Sequence, residues 1–69
     1  MKKINELVKG NIKVIEEEFA SKGIVEGKLI RRFVVKKITN NGVWRTKQIL
    51  SKGKNSIEKV LDEAICKYN

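Results

Sequence analysis

The chain contains no histidine. That excludes imidazole metal sites, Ser-His-Asp and Cys-His catalysis, and the commonest proton shuttle at neutral pH. A single cysteine, Cys66, excludes an internal disulfide and fits a reducing compartment. Asp62 is the only aspartate, and no glycine-rich segment matches a Walker or dinucleotide fingerprint. No apolar run approaches the roughly 18 residues of a membrane span, and no signal-peptide pattern opens the sequence, so the expected location is the cytoplasm with no membrane partner. These absences leave no catalytic constellation. The expectation is a protein that is not an enzyme and carries no metal or other cofactor.

What is present is a single small domain, expected over 1–69, with an uneven charge distribution. The 69 residues carry 16 Lys and Arg against 8 Asp and Glu, a net charge of +8. Residues 1–26 balance Lys2, Lys3, Lys9, Lys13 and Lys22 against Glu6, Glu16, Glu17, Glu18 and Glu26. Residues 27–54 hold Lys28, Arg31, Arg32, Lys36, Lys37, Arg45, Lys47, Lys52 and Lys54, with no acid. Residues 55–69 set Lys59 and Lys67 against Glu58, Asp62 and Glu63. A surface that serves only solubility intersperses both signs; a segregated basic segment is the footprint of an anion-binding surface.

The apolar pattern predicts an α+β fold. Ile4, Leu7, Val8, Ile12, Ile15 and Phe19 follow a helical rhythm, which places an N-terminal helix at about 3–21, with Gly23 as its C-cap and Gly10-Asn11 as an alternative hinge. On that helix Glu16, Glu17 and Glu18 point in diverging directions, where they would attract the basic segment rather than converge on a metal. Asn55 and Glu58 resemble a capping box, and Ile57, Val60, Leu61, Ala64, Ile65 and Tyr68 form an apolar stripe, so a C-terminal helix is expected at about 56–68. Cys66 falls on its outer side.

Between the helices, Asn40-Asn41-Gly42 separates two runs rich in β-branched and aromatic residues and predicts a central antiparallel hairpin. Ile24-Val25 offers a third, short strand. A two-residue Asn41-Gly42 turn would place Phe33, Val35, Trp44 and Leu50 on one face, toward the helices, in one core with Ile15, Phe19, Val60, Leu61 and Ile65. Arg32, Lys36, Arg45 and Lys47 would then share the other face, with Lys36 opposite Lys47. A one-residue slip would exchange the faces and leave Trp44 and Phe33 exposed beside Arg31 and Lys37, an arrangement suited to base stacking. The alternative architecture is a winged helix-turn-helix, with helices between Glu16 and Ile38 and the hairpin as wing.

Two outlines come close. The order helix, antiparallel strands, basic loop, helix resembles double-stranded-RNA-binding domains, without their glycine-rich last strand and alanine-rich second helix. The winged alternative resembles small phage and transposon excisionases, with its turn glycine at Gly23 instead of the required position, Ile24. Neither assigns a family. The functional expectation is a small basic nucleic-acid-binding protein, a duplex-DNA-binding regulator of phage or mobile-element type. Its phosphate contacts would come from Arg32, Lys36, Arg45 and Lys47, with Lys52 and Lys54 ahead of the last helix. The competing expectation is an inhibitor or adaptor that docks the same basic hairpin on an acidic protein surface. A homodimer is compatible with either.

Overall fold

The computed structural model describes residues 2–20, 27 and 29–68. It is a four-stranded antiparallel meander followed by one helix: β1 (Lys2–Lys9), β2 (Ile12–Ala20), β3 (Leu29–Ile38), β4 (Trp44–Ser51) and α1 (Ile57–Tyr68), with strand order β1-β2-β3-β4. The expected N-terminal helix is absent, and with it both the helix-hairpin-helix arrangement and the winged alternative, since residues 16–20 and 29–38 are strand. The third strand expected at Ile24-Val25 and the cap at Gly23 lie outside the described residues.

The N-terminal half turns back on itself at Gly10-Asn11. Lys9 pairs with Ile12, and Gly10 adopts φ +60° while Asn11 does not take positive φ. That pattern, glycine first in a two-residue loop, is a type II′ hairpin turn. It also explains why helical periodicity misled. In β2, Ile12, Val14 and Glu16 point to one face and Lys13, Ile15, Glu17 and Phe19 to the other, as alternation requires. Both faces carry apolar residues, so a strand with two useful faces imitates an i, i+3, i+4 stripe. Val14 is fully buried and fits no such stripe.

One face of the sheet receives α1. Ile12, Val14, Phe33 and Val35 from β2 and β3 pack against Ile57, Val60, Leu61 and Ala64, with Leu7, Leu50, Ile65 and Tyr68 around them. The apolar stripe of α1 thus meets a sheet face, each large side chain adding about 1.5–3 kcal/mol of burial. The helix is capped by Ser56, not Asn55: Ser56 Oγ accepts the Lys59 amide at 3.2 Å, the geometry of an N-cap. It lies over β1, β2 and β3. A groove of about 130 Å³ remains beside β4, lined by Gln48, Leu50, Glu63 and Lys67 among others. Tyr68 donates its hydroxyl to Gln48 Oε1 at 3.1 Å.

The β3–β4 connection sets which side chains appear on the second face. Gly42 N donates to Thr39 O at 2.9 Å and Thr39 N to Val43 O at 2.8 Å, with Gly42 at φ +80°. The loop therefore has three residues, Asn40-Asn41-Gly42, not two. Near it the register is Ile38↔Trp44, Lys37↔Arg45 and Lys36↔Thr46. A bulge then restores the expected register at Val35↔Gln48, Val34↔Ile49, Phe33↔Leu50 and Arg32↔Ser51. Lys47 is the extra residue of that bulge. Its consequence is a change of face within one strand: Leu50 and Gln48 point toward α1, whereas Trp44 and Thr46 point away from it. Trp44 therefore does not join the core expected for it, and Ile15 and Phe19, turned to the other side of β2 from Ile12 and Val14, do not either. They lie on the face opposite α1, which no described element covers.

Candidate nucleic-acid interface

The cross-strand rows of the sheet divide it into two ends of different charge. At the end remote from the hairpin turns, acids and bases alternate. Glu18 accepts from Arg31 Nε at 3.1 Å, and Glu17 Oε2 accepts from both Nε and Nη2 of Arg32 at 3.2 Å. Glu16 is only 6% exposed. It accepts from Lys52 Nζ at 3.0 Å, with Arg31 Nη1 at 3.8 Å. The three consecutive glutamates of β2 thus neutralise the first basic residues of β3 and the lysine that follows β4. Such pairs form because Glu16↔Phe33, Glu17↔Arg32 and Glu18↔Arg31 are register partners.

At the hairpin end the balance is lost. One row, on the α1 side, reads Lys9, Ile12, Lys37, Arg45; the next, on the open side, reads Val8, Lys13, Lys36, Thr46. These two adjacent rows hold five cations and no acid, and Lys47 protrudes from the bulge beside them. Lys13 stands directly opposite Lys36 on the neighbouring strand, a like-charge pair that lowers stability. Lys13 has Glu6 Oε1 at 3.9 Å, and Lys37 donates to the carbonyl of Tyr68 at 2.6 Å, at the negative end of the helix dipole. Among the described residues, Lys9, Lys36, Arg45 and Lys47 make no ion pair.

The six residues expected to form one site therefore divide into two groups. Lys36, Arg45 and Lys47 gather at the hairpin end, with Arg45 on the α1 side and Lys36 on the open side. Arg32 is engaged with Glu17 and lies over the Phe19 ring, its guanidinium 5.0 Å from the centroid. Lys52 is held by Glu16 at the opposite end of the sheet, and Lys54 is exposed in the turn before α1. The Lys36–Lys47 pair expected across the hairpin does not form, because the bulge puts Thr46 opposite Lys36.

Sequence reasoning missed Lys9, Lys13 and Lys37 as members of the cluster. Their signal was the Gly10-Asn11 dipeptide: read as a hairpin turn, it brings both flanking lysines beside the end of β3. The open face next to them carries Trp44, half-buried with Lys13 Nζ 4.3 Å from its ring centroid, and the exposed side chains of Val8 and Ile49.

No protein-family model matches the chain, and comparison with curated proteins and with solved structures gives no significant match either. Among the described residues, no helix is long and apolar enough to cross a membrane.

Proposed function

We propose that this chain is a small nucleic-acid-binding protein, a regulator of the phage or mobile-element type, that holds phosphates on the hairpin end of its sheet. One observation carries the reading: five cations in two adjacent cross-strand rows with no acid among them. Elsewhere in the sheet Glu16, Glu17 and Glu18 pair with Arg31, Arg32 and Lys52, whereas at this end Lys13 alone of the five cations has a carboxylate, Glu6, within 4 Å among the described residues. Mutual repulsion there is relieved by a polyanion whose charges recur at short intervals. Lys36, Arg45, Lys47 and Lys9 contact phosphates directly, and Arg45 supplies the planar donor fork for bidentate geometry. Duplex and single-stranded polymers both supply such phosphates; they differ in what the open face would meet. The test is an electrophoretic shift at about 100 mM salt with matched duplex DNA, duplex RNA and single strands. A shift with at least one of them is expected; none with any would reject the proposal.

A second reading is favoured by a separate observation. Val8 and Ile49 expose more than half of their surface beside the basic rows (53% and 54%). Phosphates do not cover apolar side chains, whereas an acidic protein surface with an apolar centre covers both. An inhibitor or adaptor role follows if nucleic acid is not bound.

A further inference from the structure

We infer that the open face of the sheet takes up single-stranded nucleic acid, with an unstacked base on Trp44 and the flanking phosphates on Lys13 and Lys36. This rests on the nucleic-acid reading above and names the form of polymer.

The first argument is shape. Four strands spaced about 4.8 Å apart give a sheet about 14 Å broad before side chains are counted. The major groove is about 12 Å wide and admits a two-stranded ribbon. Here the β3–β4 hairpin is not a free ribbon. Ile38 N donates to Asn11 O at 3.0 Å, so the neighbouring hairpin ends level with it, and only the turn at 39–43 projects. The sheet is too broad to enter the groove, and its open face would lie across the duplex without reaching a base.

The second argument is chemistry. A half-buried indole on an uncovered sheet face offers nothing to a stacked duplex, but it suits an exposed base, whose stacking is tolerant of sequence. The indole already attracts a cation, Lys13, at 4.3 Å from its centroid. A base stacked on the ring displaces that ammonium toward the phosphate beside it, and Lys36, register partner of Lys13, takes the next phosphate. The bulge at Lys47 is what turns Trp44 to this face, beside the cations. Farther along the same face lies the other aromatic, Phe19. Phe19 pairs with Ile30 and Trp44 with Ile38, so the rings stand about 26 Å apart along the strands. That span accommodates several nucleotides.

Trp44 is the only tryptophan, so its fluorescence reports the site directly. The full chain is titrated with an oligothymidylate of about ten nucleotides, the matching oligouridylate and a duplex of the same length. Expected are tighter binding of a single strand than of the duplex and quenching of Trp44 on saturation. Trp44→Ala should weaken single-strand binding about 5- to 150-fold, with Trp44→Phe restoring most of it and duplex binding little changed. If Trp44→Ala fails to fold, judged by circular dichroism, Lys13→Gln replaces it, expected to weaken the single strand and leave the quenching in place. Preference for duplex with unchanged Trp44 emission overturns this inference and leaves the broader proposal standing. Absence of binding to all three overturns both. A change in Trp44 emission on concentrating the protein alone, matched by dimer formation in sedimentation, would show that a second copy covers the face and would also overturn it.

Discussion

Replacing Lys36 and Lys47 by glutamine tests whether binding is carried by the hairpin end or by net charge. Lys9, Lys36, Arg45 and Lys47 are the cations there that make no ion pair among the described residues. If these four and Lys13 each neutralise one phosphate of a single strand, the slope of log affinity against log salt is about −0.7 per contact, close to −3.5 in all. Raising salt from about 50 to 200 mM then weakens wild-type binding about 130-fold. The Lys36→Gln/Lys47→Gln variant keeps three of the five contacts, so its slope falls to about −2.1 and the same salt step weakens it only about 18-fold. A Lys2→Gln/Lys59→Gln variant loses the same formal charge from exposed positions away from these rows and should keep the wild-type slope. Fluorescence anisotropy across a salt series measures all three. The Lys36 substitution also removes the repulsion from Lys13, and should raise the urea midpoint by the equivalent of a few tenths of a kcal/mol. Equal reductions in slope from both double variants would refute the reasoning, because they would show diffuse attraction to a polycation.

Further outcomes follow from the fold. Phe33 is fully buried at the centre of the sheet, so Phe33→Ala should cost about 3–5 kcal/mol and leave the domain largely unfolded at ambient temperature, read by denaturant titration. Gly10→Ala places a Cβ at φ +60° with no neighbour within 4 Å; backbone strain alone should lower stability by about 1–2 kcal/mol, and Gly10→Asn by less. Ser56→Ala should destabilise by about 1 kcal/mol and Asn55→Ala by less, measured by thermal melts, because Ser56 is the residue that caps α1.

The parts of the fold legible in the sequence were those where one periodicity stood alone. In 57–68 every apolar residue falls on one helical stripe, and α1 is present there. In the far half of β3–β4 the pairs expected from a two-residue turn, Val34↔Ile49 and Phe33↔Leu50, are present because the bulge at Lys47 offsets the longer loop. The N-terminal hairpin was hidden because β2 has apolar residues on both faces, and six of the residues in 4–19 mimic a helix. Near Asn40-Asn41-Gly42 the loop has three residues where two are expected, which shifts every following side chain to the other face until the bulge corrects it. The basic site inherited both errors. Arg45 and Trp44 exchanged faces, and the glutamates assigned to a helix turned out to be strand partners of Arg31 and Arg32. Their pairing removes Arg32 and Lys52 from the set of unengaged cations. A charge sum along the sequence does not show such neutralisation, because it depends on which strands are neighbours.

The meander also dictates an order of events during folding. Each strand pairs only with the next in sequence, so the sheet can grow by successive hairpins with short loop closures. The helix comes last in chain order yet must return to β1, β2 and β3. Until it does, Ile12, Val14, Phe33 and Val35 have no cover on the face that becomes the core. During synthesis the strands therefore emerge before α1, and that face stays bare until α1 itself has left the ribosome. For that interval the nascent chain presents two uncovered sheet faces rather than one. Docking of α1 is the step that covers this face, and variants that slow it should lower soluble yield more than they lower equilibrium stability.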